Sequence, residues 1–155
     1  MTDAELARAF ERGEIANCDF HHDAHLRVGW AYLREYPSIA QAAERMAGSL
    51  RRFAASAGKL DKYHHTMTVF WMHALAAVGS SMRDCNASEV LRTYPALLDK
   101  DLPLAFYSRE RLFSDAARLS WLAPDRQPLT ADAFTPRPAN PPSDPPHRPL
   151  SGGAR

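Results

Sequence analysis

Cysteine is almost missing from this chain. Cys18 and Cys85 stand alone with no CxxC pair, so neither a disulfide framework nor a thiolate zinc site of the usual spacing is available. Such usage fits a reducing compartment, with each thiol acting as a small buried group. Long apolar runs are also missing; none approaches the roughly 18 residues that a bilayer-crossing helix needs. The stretch MTDAELARAFERGE is charged and amphipathic and lacks the apolar region of a secretory signal. Neither sign of charge is in excess: 19 Lys and Arg oppose 18 Asp and Glu. That balance supplies no concentrated basic face for nucleic acid and no polybasic patch for an anionic membrane. The expectation is a soluble, cytoplasmic protein with no nucleic-acid and no membrane partner. GxSxG, GxxxxGK[ST] and GxGxxG do not occur, which leaves a nucleophile elbow or a phosphate loop without support.

What is present predicts helices. The 155 residues suit one domain, and 45% hydrophobic against 24% charged residues is enough to form a core. Alanine, leucine, arginine and glutamate dominate the first 123 residues, and no sustained period-two pattern appears. The predicted fold is all-α: a compact bundle of about five to six helices, within a domain at 1–134. Nine of twelve prolines follow Ala123. Proline lacks the amide donor and clashes with the preceding turn, so 135–155 is predicted to be a disordered, proline-rich tail, with PPSDPP as a candidate docking motif.

Starts and stops can be placed along the domain. Thr2 or Asp3 caps a first helix to about Arg12, and Asp19 a second that Pro37 stops near Tyr36. Ser38 caps a third ending at Gly58, a residue suited to a left-handed C-terminal position. Asp61 or Lys62 precedes the fourth, beginning YHHTMT. Asn86 or Ser88 opens a fifth, kinked or ended by Pro95, and SRERLFSDAARLSWLA forms the sixth.

The histidines carry the functional signal. His21, His22 and His25 crowd the start of the second helix. At about 100° per residue, His22 falls within the face made by Leu26, Gly29, Trp30, Leu33 and Tyr36, His25 lies on its flank, and His21 faces outward. On the fourth helix His64 falls on the stripe of Met67, Trp71, Ala74, Leu75 and Val78, with Thr68 beside it. His65 is offset, and His73 lies on the opposite side.

Three inward imidazoles from two helices admit two readings. One is a transition-metal site of Fe, Zn, Cu or Ni held by His22, His25 and His64, with an open coordination position. The other is a core in which every ring nitrogen finds a hydrogen-bond partner. Under the first, Tyr63 and Thr68 are the candidate catalytic groups beside the open position. Trp30, Tyr32 and Trp71 are the candidate substrate-binding walls around a small-molecule substrate. Cys18 is a weaker candidate ligand. The paired ExxH segments of di-iron bundles are not present, which favours a mononuclear site. With no inward carboxylate as a general base, a metal-dependent oxidoreductase is preferred to a hydrolase. The alternative is a non-catalytic ligand-binding or protein-interaction module with a hydrogen-bonded histidine core. A homodimer is compatible with either.

The phrases HHDAHLRVGWAYLREYP, KYHHTMTVFW and YSRERLFSDAARLSWLAPDRQPL resemble those of small bacterial all-helical proteins of unassigned function, through the motifs HHxxHLR and YHxTxT. The resemblance runs from Phe20 to Leu129 and implies no activity, only that the third phrase belongs to the ordered domain. In that phrase Arg109, Arg111 and Arg118 read as solvated surface groups. Their alternative role is a lid in which Arg111 or Arg118 binds an anionic substrate.

Overall fold

A computed structural model describes residues 1–135; the predicted tail lies outside the described residues apart from Thr135. Seven α-helices and five short 3-10 turns make up the described chain, with no strand. The helices are α1 (Asp3–Glu11), α2 (His22–Glu35), α3 (Ile39–Ser56), α4 (His65–Gly79), α5 (Ala87–Thr93), α6 (Arg109–Leu112) and α7 (Asp115–Leu119). None is long and apolar enough to cross a membrane.

Side-chain caps set most of the boundaries. Thr2 and Asn86 form reciprocal capping boxes with Glu5 and Glu89, and Ser38 caps α3 through the Gln41 amide. Gly58 adopts φ +68° just past α3, a conformation that costs a residue with a Cβ more. Pro95 ends α5 and opens a 3-10 turn over Pro95–Leu98. The expected sixth helix is instead two short ones. Ser108 caps α6, and Ser114 then accepts from the Ala117 amide to start α7, so a second cap interrupts the run. Asp19 does not cap α2; it sits in a 3-10 turn at Asn17–Asp19, and His21 occupies the cap position without a side-chain hydrogen bond.

Helix α2 is central and packs on α1, α3, α4 and α5. Its two sides feed two cores. On one side Val28 and Tyr32 join Leu6, Phe10, Met46 and Leu50 from α1 and α3. On the other, Leu26 and Trp30 join Phe70, Leu75 and Val90, together with Phe106, Tyr107 and Phe134 from the segment after α5. Phe134 is 1% exposed and stacks on Phe106, so the ordered core extends to the end of the described chain.

Candidate functional site

Where α2 and α4 begin, the two cores do not close completely. A cavity of about 480 Å³ opens there between α2, α3, α4 and the turns that precede them. That volume lies within the range of small-molecule sites. Its apolar wall includes Phe20, Met46, Leu50, Phe53, Met67, Trp71 and Leu75. Its polar groups include His21, His22, His25, Tyr63, His64 and Thr68, with Lys59, Lys62 and Lys100 also lining it. The three histidines expected to point inward therefore do share one space, as do Tyr63, Thr68 and Trp71.

Each ring is held differently. The Nε2 of His22 is 2.9 Å from the Leu97 carbonyl oxygen, which makes that nitrogen the N–H donor. The ring also packs against Trp71 with centroids 4.5 Å apart. His25 packs on Phe20 at 4.3 Å. Burial, reinforced by the nearby His22 ring, pushes the His25 pKa down to about 4, and burial lowers that of His22 as well. Both rings are thereby kept neutral at neutral pH.

His64 is committed at both nitrogens. Its Nδ1 accepts from the Met67 amide at 3.1 Å, which makes His64 the N-cap of α4. Its Nε2 donates to the Leu112 carbonyl at 2.7 Å. A ring so engaged has no lone pair left for a metal unless it gives up the cap. Among the described residues, no group of three or more His, Cys, Asp or Glu side chains is placed to share a metal ion.

The two expected catalytic groups line the cavity with their hydroxyls already partnered. Tyr63 is hydrogen-bonded to Nδ1 of His65 at 2.8 Å. Burial raises its pKa, against the opposing effects of the Thr68 hydroxyl and the Arg51 charge. Thr68 donates to the His64 carbonyl at 2.9 Å, the usual back-bond of a helical threonine.

Two of the three expected substrate walls lie elsewhere. Trp30 donates its indole N–H to the Cys85 carbonyl at 3.0 Å and abuts Gly79, away from the histidine cavity. Tyr32 is fully buried toward α1 and α3, its hydroxyl donating to Glu11 at 2.8 Å and meeting Ser49 at 3.0 Å. Burial pushes its pKa up to about 12. The reason is geometric: α2 is surrounded, so aromatics two positions apart point into different cores. Trp71 alone of the three lines the cavity.

The remaining candidates separate cleanly. His73 packs near Trp121 at 5.3 Å, away from the cavity, and Cys18 is exposed outside α2. Arg111 donates to the Ala123 carbonyl and Arg118 to that of Asp61; neither lines the cavity, so the lid is not formed. The lysines, and Phe20, Met46, Leu50 and Phe53, did not emerge from the sequence. The α3 residues carried a usable signal in their three- and four-residue spacing; the lysines, scattered over loops and turns, carried none.

Comparison of the chain with protein-family models, with curated proteins and with solved structures gives no match.

Proposed function

We propose that this chain binds a small, largely apolar molecule in the cavity between α2, α3 and α4, as a non-catalytic helical ligand-binding protein. The observation that carries the reading is the fate of the histidines. His22 and His64 spend ring nitrogens on the carbonyls of Leu97 and Leu112, tying the starts of α2 and α4 to the second half of the chain. The rings thus hold the walls while Trp71, Met67, Leu75 and Phe53 offer apolar surface. Tyr63 and Thr68 keep acceptor lone pairs with which to orient a guest. A fragment screen by nuclear magnetic resonance tests this: hits should perturb Trp71 and His25 together. A screen without such hits would refute it.

One feature supports a metal-dependent enzyme as a second reading. His22 and His25 are neutral, lie one turn apart and line the same cavity. The hydrogen bond from His22 to a carbonyl is how ligating imidazoles are commonly oriented. Metal analysis of untagged protein decides: this reading expects near-stoichiometric iron, zinc, copper or nickel, lost in His22→Ala. Negligible metal removes it.

A further inference from the structure

The chain has 19 basic residues, and only three of them are lysines: Lys59, Lys62 and Lys100. All three line the same cavity. Everywhere else the chain uses arginine, and among the described residues four arginines are spent in ion pairs: Arg8, Arg12, Arg27 and Arg45. Among the described residues none of the three lysines is in an ion pair, and all are exposed. They reach the cavity from separate places, Lys59 and Lys62 around the turn at Leu60–Lys62 and Lys100 from the loop after Pro95–Leu98.

Among the described residues no Asp or Glu lines the cavity. Asp23 and Asp99 are near enough to His22 to act on its charge, but both stand outside the lining and are exposed. Asp61, Asp99 and Asp101 flank these lysines along the chain, but all three are exposed and outside the lining, so the formal charge on the cavity wall itself is positive. The effect of the lysines on a guest is selective: they attract an anion and do nothing for a neutral body of the same shape. Arginine would serve better for a bidentate fork on a fixed oxyanion; flexible ammonium groups suit a monodentate charge at the mouth.

Resting on the ligand-binding reading above, we propose that the cavity takes a small organic anion, an aromatic or acyl carboxylic acid. Its apolar body lies against Trp71, Met67 and Phe53, and its carboxylate lies among Lys59, Lys62 and Lys100. The acid enters ionised, because ammonium groups stabilise that form.

Matched pairs of probes test this by calorimetric titration of the full chain: 2-naphthoate against 2-naphthalenemethanol, and octanoate against 1-octanol. The acids should bind about tenfold more tightly than the alcohols at low salt, the scale expected of partly screened charge contacts. The preference should shrink in high salt. A Lys59→Gln, Lys62→Gln, Lys100→Gln triple variant should bind the alcohols as before and lose the preference. A circular-dichroism melt matching that of the parent would establish that this variant is folded. Equal binding of acid and alcohol would overturn the anion assignment while leaving the ligand site standing. Binding of neither member of either pair at millimolar concentration would overturn both.

Discussion

Replacing His64 separates a structural histidine from a metal ligand. In His64→Ala the Met67 amide loses its side-chain acceptor and the Leu112 carbonyl its donor. Losing an N-cap costs about 1 kcal/mol, and losing one further hydrogen bond to a partly buried carbonyl about 1 kcal/mol more. The sum of about 2 kcal/mol corresponds to a drop in melting temperature on the order of 5–10 °C for a domain of this size. His64→Asn should recover about half of that loss, because asparagine is a good N-cap but is too short to reach Leu112. Amide hydrogen exchange at Met67 resolves the two contributions: fast in the alanine variant, protected in the parent and in the asparagine variant. All three measurements are made in the presence of a chelator. If His64→Ala melts with the parent under those conditions, the ring is not what holds the start of α4, and its place in the cavity needs another explanation.

Acid should weaken the fold. The His25 pKa lies near 4 in the folded chain against about 6.5 when unfolded. The unfolded state therefore binds more protons between those values. Its contribution is intact above the unfolded pKa and is lost as pH falls through the window toward 4. Between about pH 7 and about pH 5 the loss is on the order of 2 kcal/mol. Urea unfolding of the parent and of His25→Leu at both pH values checks this; parallel losses in the two proteins would assign the effect to other groups. Gly79→Ala would place a Cβ 2.6 Å from Cζ3 of Trp30, whose ring is rigid and pinned to Cys85. Overpacking should outweigh the gain in helix propensity and destabilise by about 1–2 kcal/mol. The same change at Gly48, where the nearest side-chain atom would be 3.6 Å away, should stabilise by about 0.5–1 kcal/mol. Thermal melts compare the two.

Much of the fold was legible because capping chemistry is local. Thr2, Ser38 and Asn86 each announce a helix through a short polar side chain followed by a helix-forming run, and each caps the helix it precedes. The clearest misplacement was at α4, where His64 reads by periodicity as a residue inside the helix. It is in fact the N-cap, a position that histidine seldom fills, and the helix starts at His65, later than a start after Asp61 or Lys62 predicts. Trp30 and Tyr32 were misplaced because periodicity yields an angle around the helix axis, and that angle identifies a neighbour only when a single face is buried. With α2 enclosed, the angle was right and the neighbour was not.

The cavity sits where it does because of the way α2 and α4 begin. A helix start leaves amides pointing away from its body, and apolar packing cannot continue past them without a capping group or solvent. Helix α4 meets this with the His64 ring, whose far nitrogen then needs Leu112. Helix α2 has no side-chain cap hydrogen bond; the His22 ring donates to the Leu97 carbonyl, which satisfies the ring nitrogen and not the amides of the helix. Both helix starts place imidazoles, bulkier and more polar than a serine cap, at the seam between two hydrophobic clusters, where the cavity lies. The gap is thus lined by apolar and aromatic side chains, by the polar rings and by three exposed lysines. The hydrogen bonds of His22 to Leu97 and of His64 to Leu112 fix the two rings at the wall of this cavity.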